Sequence, residues 1–170
     1  SMSVSQLHNV YLPTFKAAVE EGAATAMAAF NDLNGVPCTV NSYTLRTILK
    51  DLYGLPGFVV SDANGIKECV EHGFAEDRKD AARKAIEAGL DMDMGTHIYK
   101  DYLKAAVEDG RVSMEVLDEA VRRILSVKMW LGLFENPYVP EDVIAQYEQS
   151  GLPKEDVEIA REAAEKSIVL

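Results

Sequence analysis

A carboxylate directly follows a short apolar run in the segment GLPGFVVSDANG, residues 54–65. The run at 58–60 predicts a buried strand, and Asp62 stands at its carboxyl end. Such a position is suited to chemistry, because the carboxyl ends of parallel strands face one shared pocket and rigid backbone holds the side chain there. The same residues also suit an Asx turn or an N-cap for the helix that follows Ala63. The local pattern leaves both roles for Asp62 open.

Other side chains with metal or redox chemistry lack the spacing that such chemistry needs. His72 and His97 lie near predicted loops, and neither has a second ligand at metal-binding spacing along the chain. Cys38 and Cys69 show neither ligand nor redox spacing, and a buried free thiol needs no further role. The sequence therefore predicts no metal site and no cofactor.

The charge of the chain is strongly unbalanced. Its 170 residues include 28 acidic and 17 basic side chains, which gives a formal net charge of -11. This charge repels polyanions, so nucleic acid and anionic membranes are not expected partners. No stretch approaches the roughly 18 apolar residues of a membrane helix, and no secretory signal pattern opens the chain. The hydrophobic content of 48% is enough to bury a core, and the sequence assigns no compartment.

Helical and strand-like segments alternate along most of the chain. Apolar residues recur every three or four positions in the predicted helices, at 7–19, 44–53, 66–72, 77–88, 99–108 and 114–130. Short apolar runs between them predict strands at 24–30, 57–61 and 89–94. This alternation is typical of parallel βα units. Ser42 and Ser113 are the predicted N-caps of the second and the last of these helices.

Three strands are too few for a closed (β/α)8 barrel, which needs eight strands and about 250 residues. The alternation therefore predicts either part of such a barrel or an open sheet. Prolines make 136–140 a linker, and an acidic helix is predicted from about 154 to 164. Residues 167–170 then resemble the first residues of a strand, so we expect the chain to be a fragment.

Five segments follow one another in a distinctive order: MAAFNDLNGVP at 27–37, NSYTLRTILKDLYGLPGFVVSDANG at 41–65, AGLDMDM at 88–94, LDEAVRRILSVKMWLGLFENPY at 117–138 and AREAAEKSIVL at 160–170. Together they resemble the second half of the barrel domain of glycoside hydrolase family 3, in its β-glucosidase and β-xylosidase branch. The resemblance implies an α/β fold, a partial (β/α)8 barrel of about three parallel strands with flanking helices, followed by a linker and a C-terminal helix. Residues 1–135 would be the second half of the TIM-barrel domain, and 136–170 the linker and the start of a truncated α/β sandwich domain.

By this resemblance, Asp62 matches the catalytic nucleophile of a retaining mechanism. Such a carboxylate attacks the anomeric carbon and forms a covalent glycosyl intermediate, while a second acid about 5 to 5.5 Å away protonates the leaving oxygen. The resemblance implies that this acid, usually a Glu of the second domain, lies outside the chain. It implies the same for the Asp, Arg and Lys-His pair that hold the sugar. The chain alone is therefore expected to be inactive.

The resemblance also implies sugar contacts at the same rim, at Met27, Phe30, Ala63, Met92 and Asp93. Phe30 stands where many members carry a Tyr, so only an apolar contact remains. Ala63 stands where an aromatic residue, commonly Trp, is frequent. Asp91 and Asp93 could orient sugar hydroxyls, and a structural role in a turn is an open alternative for both. These departures leave the identity of the sugar undetermined.

The leading prediction is a fragment of a retaining β-glycosidase that hydrolyses terminal β-D-glucosides or related glycosides, with a carbohydrate as its substrate. The alternative is a non-catalytic half-barrel that acts as an oligomerising or interaction module. In both cases the exposed barrel face is expected to bind a second copy of the chain or the missing parts of the enzyme. Another (β/α)8 enzyme, such as an aldolase, would need a strand-end Lys, and no predicted strand ends in one.

Overall fold

The computed structural model describes residues 1–169, except for the side chains of 149 and 150. The chain divides into two compact units, Ser1–Leu131 and Gly132–Leu170. The described strands all lie in the first unit. Within the described residues, no helix combines the length and the apolar character needed to cross a membrane.

The helices of the first unit lie close to where the apolar periodicity predicts them. The first, α1, runs without interruption through Val4–Gln6, Leu7–Tyr11 and Leu12–Glu20, and its middle segment is π-helical. A 3-10 turn at Cys38–Val40 precedes the second helix. The other helices are α2 at Tyr43–Leu52, which is π-helical, α3 at Gly65–Glu71, α4 at Arg78–Ala88, α5 at Ile98–Glu108 and α6 at Met114–Trp130.

The sheet is smaller than the sequence predicts. The described strands are β1 at Ala26–Met27, β2 at Asp32–Leu33, β3 at Val36–Pro37 and β4 at Val59–Val60. Strands β1 and β4 are parallel, with Ala26 opposite Val59 and Met27 opposite Val60. The third predicted strand, at 89–94, is reduced to one parallel bridge between Val60 and Met92. The described part of the α/β fold thus contains two parallel strands and a bridge, where three strands were expected.

A side-chain hydrogen bond takes the place of one backbone hydrogen bond that a third strand would make to β4. The N–H of Val59 faces away from β1, where a third strand would accept it, and it donates instead to Oδ2 of Asp91 at 2.8 Å. The carbonyl of Val59 accepts the N–H groups of both Asp91 and Met92, at 2.9 and 3.1 Å. Because a carboxylate takes the place of a backbone carbonyl, the regular register of a third strand is lost.

Strands β2 and β3 form an antiparallel hairpin that the periodicity does not predict. Its turn residues, Asn34 and Gly35, have φ angles of 54° and 84°. Positive φ at both positions is the geometry of a type I′ turn, for which Asn-Gly is a preferred pair. The turn signal was therefore present, but strands of two residues are too short to show an alternating pattern.

Of the two predicted serine caps, Ser113 is found at the N-cap position and Ser42 is not. Ser42 already has helical backbone angles, φ -60° and ψ -29°, and its side chain makes no cap hydrogen bond. Oδ1 of Asn41 accepts the N–H of Thr44 at 3.2 Å instead. Ser113 is the N-cap residue of α6, as predicted, with the extended backbone of that position, although its side chain makes no cap hydrogen bond. The Ser42 cap fails because residue type alone does not fix the backbone angles on which a cap depends.

The core of the first unit lies on one side of β4. Its most deeply buried side chains include Ile48, Ile66, Ile86, Leu90 and Ile98. Val59 and Ser61 are also fully buried, whereas Val60 and Asp62 are partly exposed. Successive residues of a strand point to opposite faces, so Val59 and Ser61 face the core and Asp62 faces away from it.

The second unit consists of two helices in its described part. They are α7 at Glu141–Ser150, which the sequence does not predict, and α8 at Lys154–Ser167, which it does. The strand expected at 167–170 is wrong for its described part, because Ser167 ends α8 and 168–169 pair with no strand. Leu170 lies outside the described residues. A two-stranded pairing needs a partner, and the described part of this unit offers none.

Candidate active site

The parallel pairing brings the ends of two strands to one edge, and hydrogen bonds join a third segment to it. The N–H of Ser61 donates to the carbonyl of Met92 at 2.9 Å. The N–H of Asn64 donates to the carbonyl of Met94 at 3.1 Å. The buried hydroxyl of Ser61 accepts the N–H of Met94 at 2.8 Å. These hydrogen bonds therefore fix residues 61–64, which include Asp62, to residues 92–94.

Asp62 does not cap the helix that follows it. Helix α3 begins at Gly65, after Asn64, which has a left-handed conformation with φ 67°. Oδ1 of Asp62 accepts only the N–H of its neighbour Ala63, at 2.7 Å, and the carbonyl of Asp62 accepts the N–H of Gly65 at 2.9 Å. Oδ2 of Asp62 has no hydrogen-bond partner among the described residues. One carboxylate oxygen is thus held by the backbone, and the other is available to a ligand.

Three of the predicted sugar contacts lie at this same edge with exposed side chains. Met27, in β1, is 51% exposed and pairs through its backbone with Val60. Phe30 lies three residues further on and is 42% exposed. Ala63 is exposed directly beside Asp62. Two exposed large apolar side chains beside a strand-end carboxylate make this edge a candidate binding surface.

The other two predicted contacts have evident structural roles. Met92 forms the bridge to Val60 and is half-buried. Both carboxylate oxygens of Asp93 accept the hydroxyl of Thr96, at 2.6 and 2.7 Å, and Oδ2 also accepts the N–H of Tyr99 at 3.3 Å. These are the contacts of a turn that leads into α5. The alternative turn role of Asp93 therefore has direct contacts, and a sugar contact at Asp93 remains a prediction.

Asp91 belongs to a buried ion pair that the sequence analysis missed. Its Oδ1 accepts Nζ of Lys50, in α2, at 2.7 Å, and the two side chains are 3% and 1% exposed. Burial lowers the pKa of Lys50 and raises the pKa of Asp91, because desolvation outweighs their mutual attraction. Asp91 is therefore not available to orient a sugar hydroxyl. No local pattern marks Lys50, since its partner lies 41 residues away.

The segment that enters β4 is held by a second charged group. Nη1 of Arg123, in α6, donates to the carbonyls of Leu55 and Gly57, at 3.0 and 2.9 Å. Glu119 accepts Nε of Arg123 at 3.0 Å and Nη1 of Arg46 at 3.1 Å. Arg123 thus fixes the start of the strand whose end carries Asp62.

The described residues contain no group of three or more His, Cys, Asp or Glu that could hold a metal ion. His72 contacts Asp32, with Nδ1 and Oδ1 3.1 Å apart. Cys38 and Cys69 are free thiols, and burial raises the pKa of Cys69 to about 11. Such a thiol is almost entirely protonated near neutral pH and is a poor ligand or nucleophile.

Comparison with known proteins gives a consistent result. The family described as "Glycosyl hydrolase family 3 N terminal domain" matches residues 1–127. A periplasmic beta-glucosidase of Salmonella typhimurium is 40% identical over 99% of this chain and 22% of its own length. A beta-xylosidase of Formosa agariphila is 38% identical over 99% of this chain and 24% of its own length.

Solved structures agree with the sequence comparison. The crystal structure of a beta-glucosidase from Listeria innocua in complex with glucose has a TM-score of 0.79 at 42% identity, covering 81% of this chain and 19% of that one. A beta-glucosidase from Erythrobacter marinus has a TM-score of 0.86 at 33% identity, covering 97% of this chain and 22% of that one. The chain spans about a fifth of the length of these relatives.

Proposed function

Because the chain belongs to glycoside hydrolase family 3, we propose that it is part of a retaining β-glycosidase acting on terminal β-D-glucosides or related glycosides. Relatives named as beta-glucosidases and a beta-xylosidase support this class of substrate. The observation that carries the proposal is the placement of Asp62 at the carboxyl end of β4, on the side of the strand away from the core, with Oδ2 unpaired among the described residues.

In the proposed mechanism Asp62 is the nucleophile. Its free oxygen forms a bond to the anomeric carbon as the bond from that carbon to the leaving oxygen breaks. A separate acid donates the proton to the leaving oxygen, and water later cleaves the glycosyl ester. The N–H of Ala63 and the fixed segment 61–64 hold the carboxylate in position. Fixing the reacting oxygen in this way lowers the entropic part of the barrier.

The strands around this site are proposed to be part of a larger barrel. Strands β1 and β4 and the bridge at Met92 would be consecutive positions of a (β/α)8 barrel. Residues 1–135 would belong to that barrel, and 136–170 would form the linker and the start of the next domain. Met27, Phe30, Ala63 and Met92 would offer the sugar apolar contact, and Asp93 a hydrogen-bond acceptor.

The chain alone is expected to be inactive, so the test uses a hybrid enzyme. In this hybrid, the chain replaces the matching segment of the Salmonella typhimurium beta-glucosidase, with which it shares 40% identity. We expect the hybrid to hydrolyse an aryl β-glucoside and Asp62→Asn to reduce the rate by roughly 10³-fold or more. Asp118→Asn, which changes an exposed carboxylate of α6, is the matched control and should leave the rate unchanged.

Labelling identifies the nucleophile independently of the rate. A fluorinated aryl β-glucoside leaves a stable glycosyl ester on the attacking carboxylate, which peptide mass spectrometry then maps. The label is expected on Asp62. A label on any other carboxylate, or full activity of the Asp62→Asn hybrid, would overturn the assignment.

We also propose that the isolated chain associates through the outer edge of β1. Ala26 and Ala28 donate their N–H groups to β4, so the alternate groups of Thr25 and Met27 face outward. A largely apolar cleft of about 310 Å³ adjoins this edge, lined by residues of α1, β1 and α2. At the opposite edge, the hydroxyl of Tyr99 donates to the carbonyl of Leu90 at 2.8 Å, so this carbonyl already has a hydrogen-bond partner. Unpaired strand edges favour pairing with another chain.

Light scattering on the purified chain tests this association. We expect a species heavier than the 18.7 kDa of the monomer, because two copies can share the apolar cleft and the β1 edge. Met27→Lys places a charge on that edge and is expected to restore the monomer. A wild-type chain that stays monomeric at tens of micromolar would contradict the proposal.

A further inference from the structure

We propose that Asp91, held in place by Lys50, is a positioning residue for the strand end that carries Asp62. This inference rests on the proposed role of Asp62. Neither Lys50 nor Asp91 would touch the sugar, because both side chains are almost fully buried and Asp91 contacts the backbone of Val59 instead. They act through the backbone of the strand.

Asp91 contacts both hydrogen-bonding groups of one residue of β4. Its Oδ2 accepts the N–H of Val59 at 2.8 Å, and its own N–H donates to the carbonyl of Val59 at 2.9 Å. In a regular sheet, a third strand would provide both contacts from its backbone. Here Asp91 makes both contacts to Val59, which stands three positions before Asp62.

The segment that follows Asp91 extends this contact to the site itself. The carbonyl of Met92 accepts the N–H of Ser61, and the N–H of Met94 donates to the hydroxyl of Ser61 at 2.8 Å. A displacement of Asp91 would therefore move the residues on both sides of Asp62. Errors of about 1 Å in the position of a reacting group cost as much as 10²-fold in rate.

Lys50 is required because Asp91 is buried. A carboxylate at 3% exposure is costly unless a cation and hydrogen bonds compensate for the lost water. Lys50 provides that cation from α2, and so ties the helix to the strand end. Gly89, with φ 100°, ends α4 two residues before Asp91.

A merely structural ion pair would contribute to stability without controlling the geometry of Asp62. Two double variants distinguish these roles, Lys50→Met/Asp91→Asn and Lys50→Met/Asp91→Leu. Both remove the two charges, so neither leaves an isolated buried ion, and Asn and Leu are similar in size. Asn and Leu differ at their two terminal atoms, and only Asn keeps an oxygen that can accept the N–H of Val59.

The first measurement uses the 170-residue chain itself and needs no activity. In amide NMR spectra we expect the resonances of residues 59–64 and of Met94 to stay near their wild-type positions in the Asn variant and to move in the Leu variant. Leu103→Ala, a cavity variant in α5, is the control for lost stability and should leave these resonances in place. If the Leu variant does not fold, Lys50→Met/Asp91→Ala removes the same acceptor without added bulk and carries the same expectation.

The second measurement uses the hybrid enzyme. We expect kcat of the Leu variant to fall by roughly 10- to 100-fold with KM nearly unchanged, and the Asn variant to recover most of that loss. Equal strand-end resonances and equal kcat in the two double variants would overturn the positioning role. Activity of Asp62→Asn would instead overturn the proposed function, so the two failures are distinguishable.

Discussion

Replacement of Lys50 by Met should test how strongly the buried pair supports the fold. Met has a similar length and no charge, so the variant keeps most of the packing and leaves Asp91 with the N–H of Val59 as its hydrogen-bond donor. The side chain of Asp91 is only 3% exposed, so water cannot replace the lost ammonium group. Breaking a buried pair by removing one partner costs about 3 to 5 kcal/mol, and we expect a loss in this range at pH 7.

The loss should depend on pH in a definite direction. Burial already raises the pKa of Asp91, and Lys50 is the main group that opposes this shift. In the variant the folded-state pKa therefore lies further above the value in the unfolded chain. As pH falls, Asp91 therefore binds a proton in the folded state before it does so in the unfolded chain. The stability of the variant then rises by about 1.4 kcal/mol per pH unit in the window between the two pKa values. The deficit relative to wild type should accordingly shrink from pH 7 toward pH 5.

Urea unfolding followed by far-UV circular dichroism measures both effects, with wild type and variant compared at each pH. Lys16→Met is the matched control, because Lys16 and its partner Glu20 are 52% and 60% exposed. An exposed pair of this kind contributes below about 1 kcal/mol, with little dependence on pH in this range. A loss for Lys50→Met as small as that of the control, or a deficit that grows on acidification, would refute the reasoning.

Two further predictions concern Gly57, which precedes β4, and Asp77, the N-cap residue of α4. Gly57→Ala should destabilise the chain by about 2 to 4 kcal/mol in the same assay. A Cβ at this position would lie 2.3 Å from the carbonyl oxygen of Ala24 and 2.6 Å from Cγ2 of Val127. An unchanged urea midpoint would contradict this close approach. Asp77→Ala should cost about 1 kcal/mol, since Asp77 accepts the N–H of Asp80 at 2.8 Å as the N-cap of α4, and Asp77→Ser should keep most of that stability. Equal losses in the Ala and Ser variants would mean that the cap bond is not responsible.

Local sequence patterns predicted the helices and the position of the candidate nucleophile. Apolar periodicity located α1 to α6, and an apolar run with a terminal carboxylate located β4 and Asp62. These features depend on burial along one segment, which residue spacing encodes directly. The extent of the strands was less predictable, because a strand exists only where a partner pairs with it. The segment at 89–94 is apolar enough for a strand, yet Asp91 interrupts its pairing with β4.

The sequence by itself determined the α/β class, the membership of glycoside hydrolase family 3 and the strand end at which Asp62 stands. Only the tertiary structure showed that Asp62 does not cap α3, that Asp93 fixes a turn, and that Asp91 pairs with the buried Lys50. The physical reason is the distance along the chain. Periodicity reports which face of a segment is buried, whereas the partner of a buried charge 41 residues away is decided by how helices and strands pack.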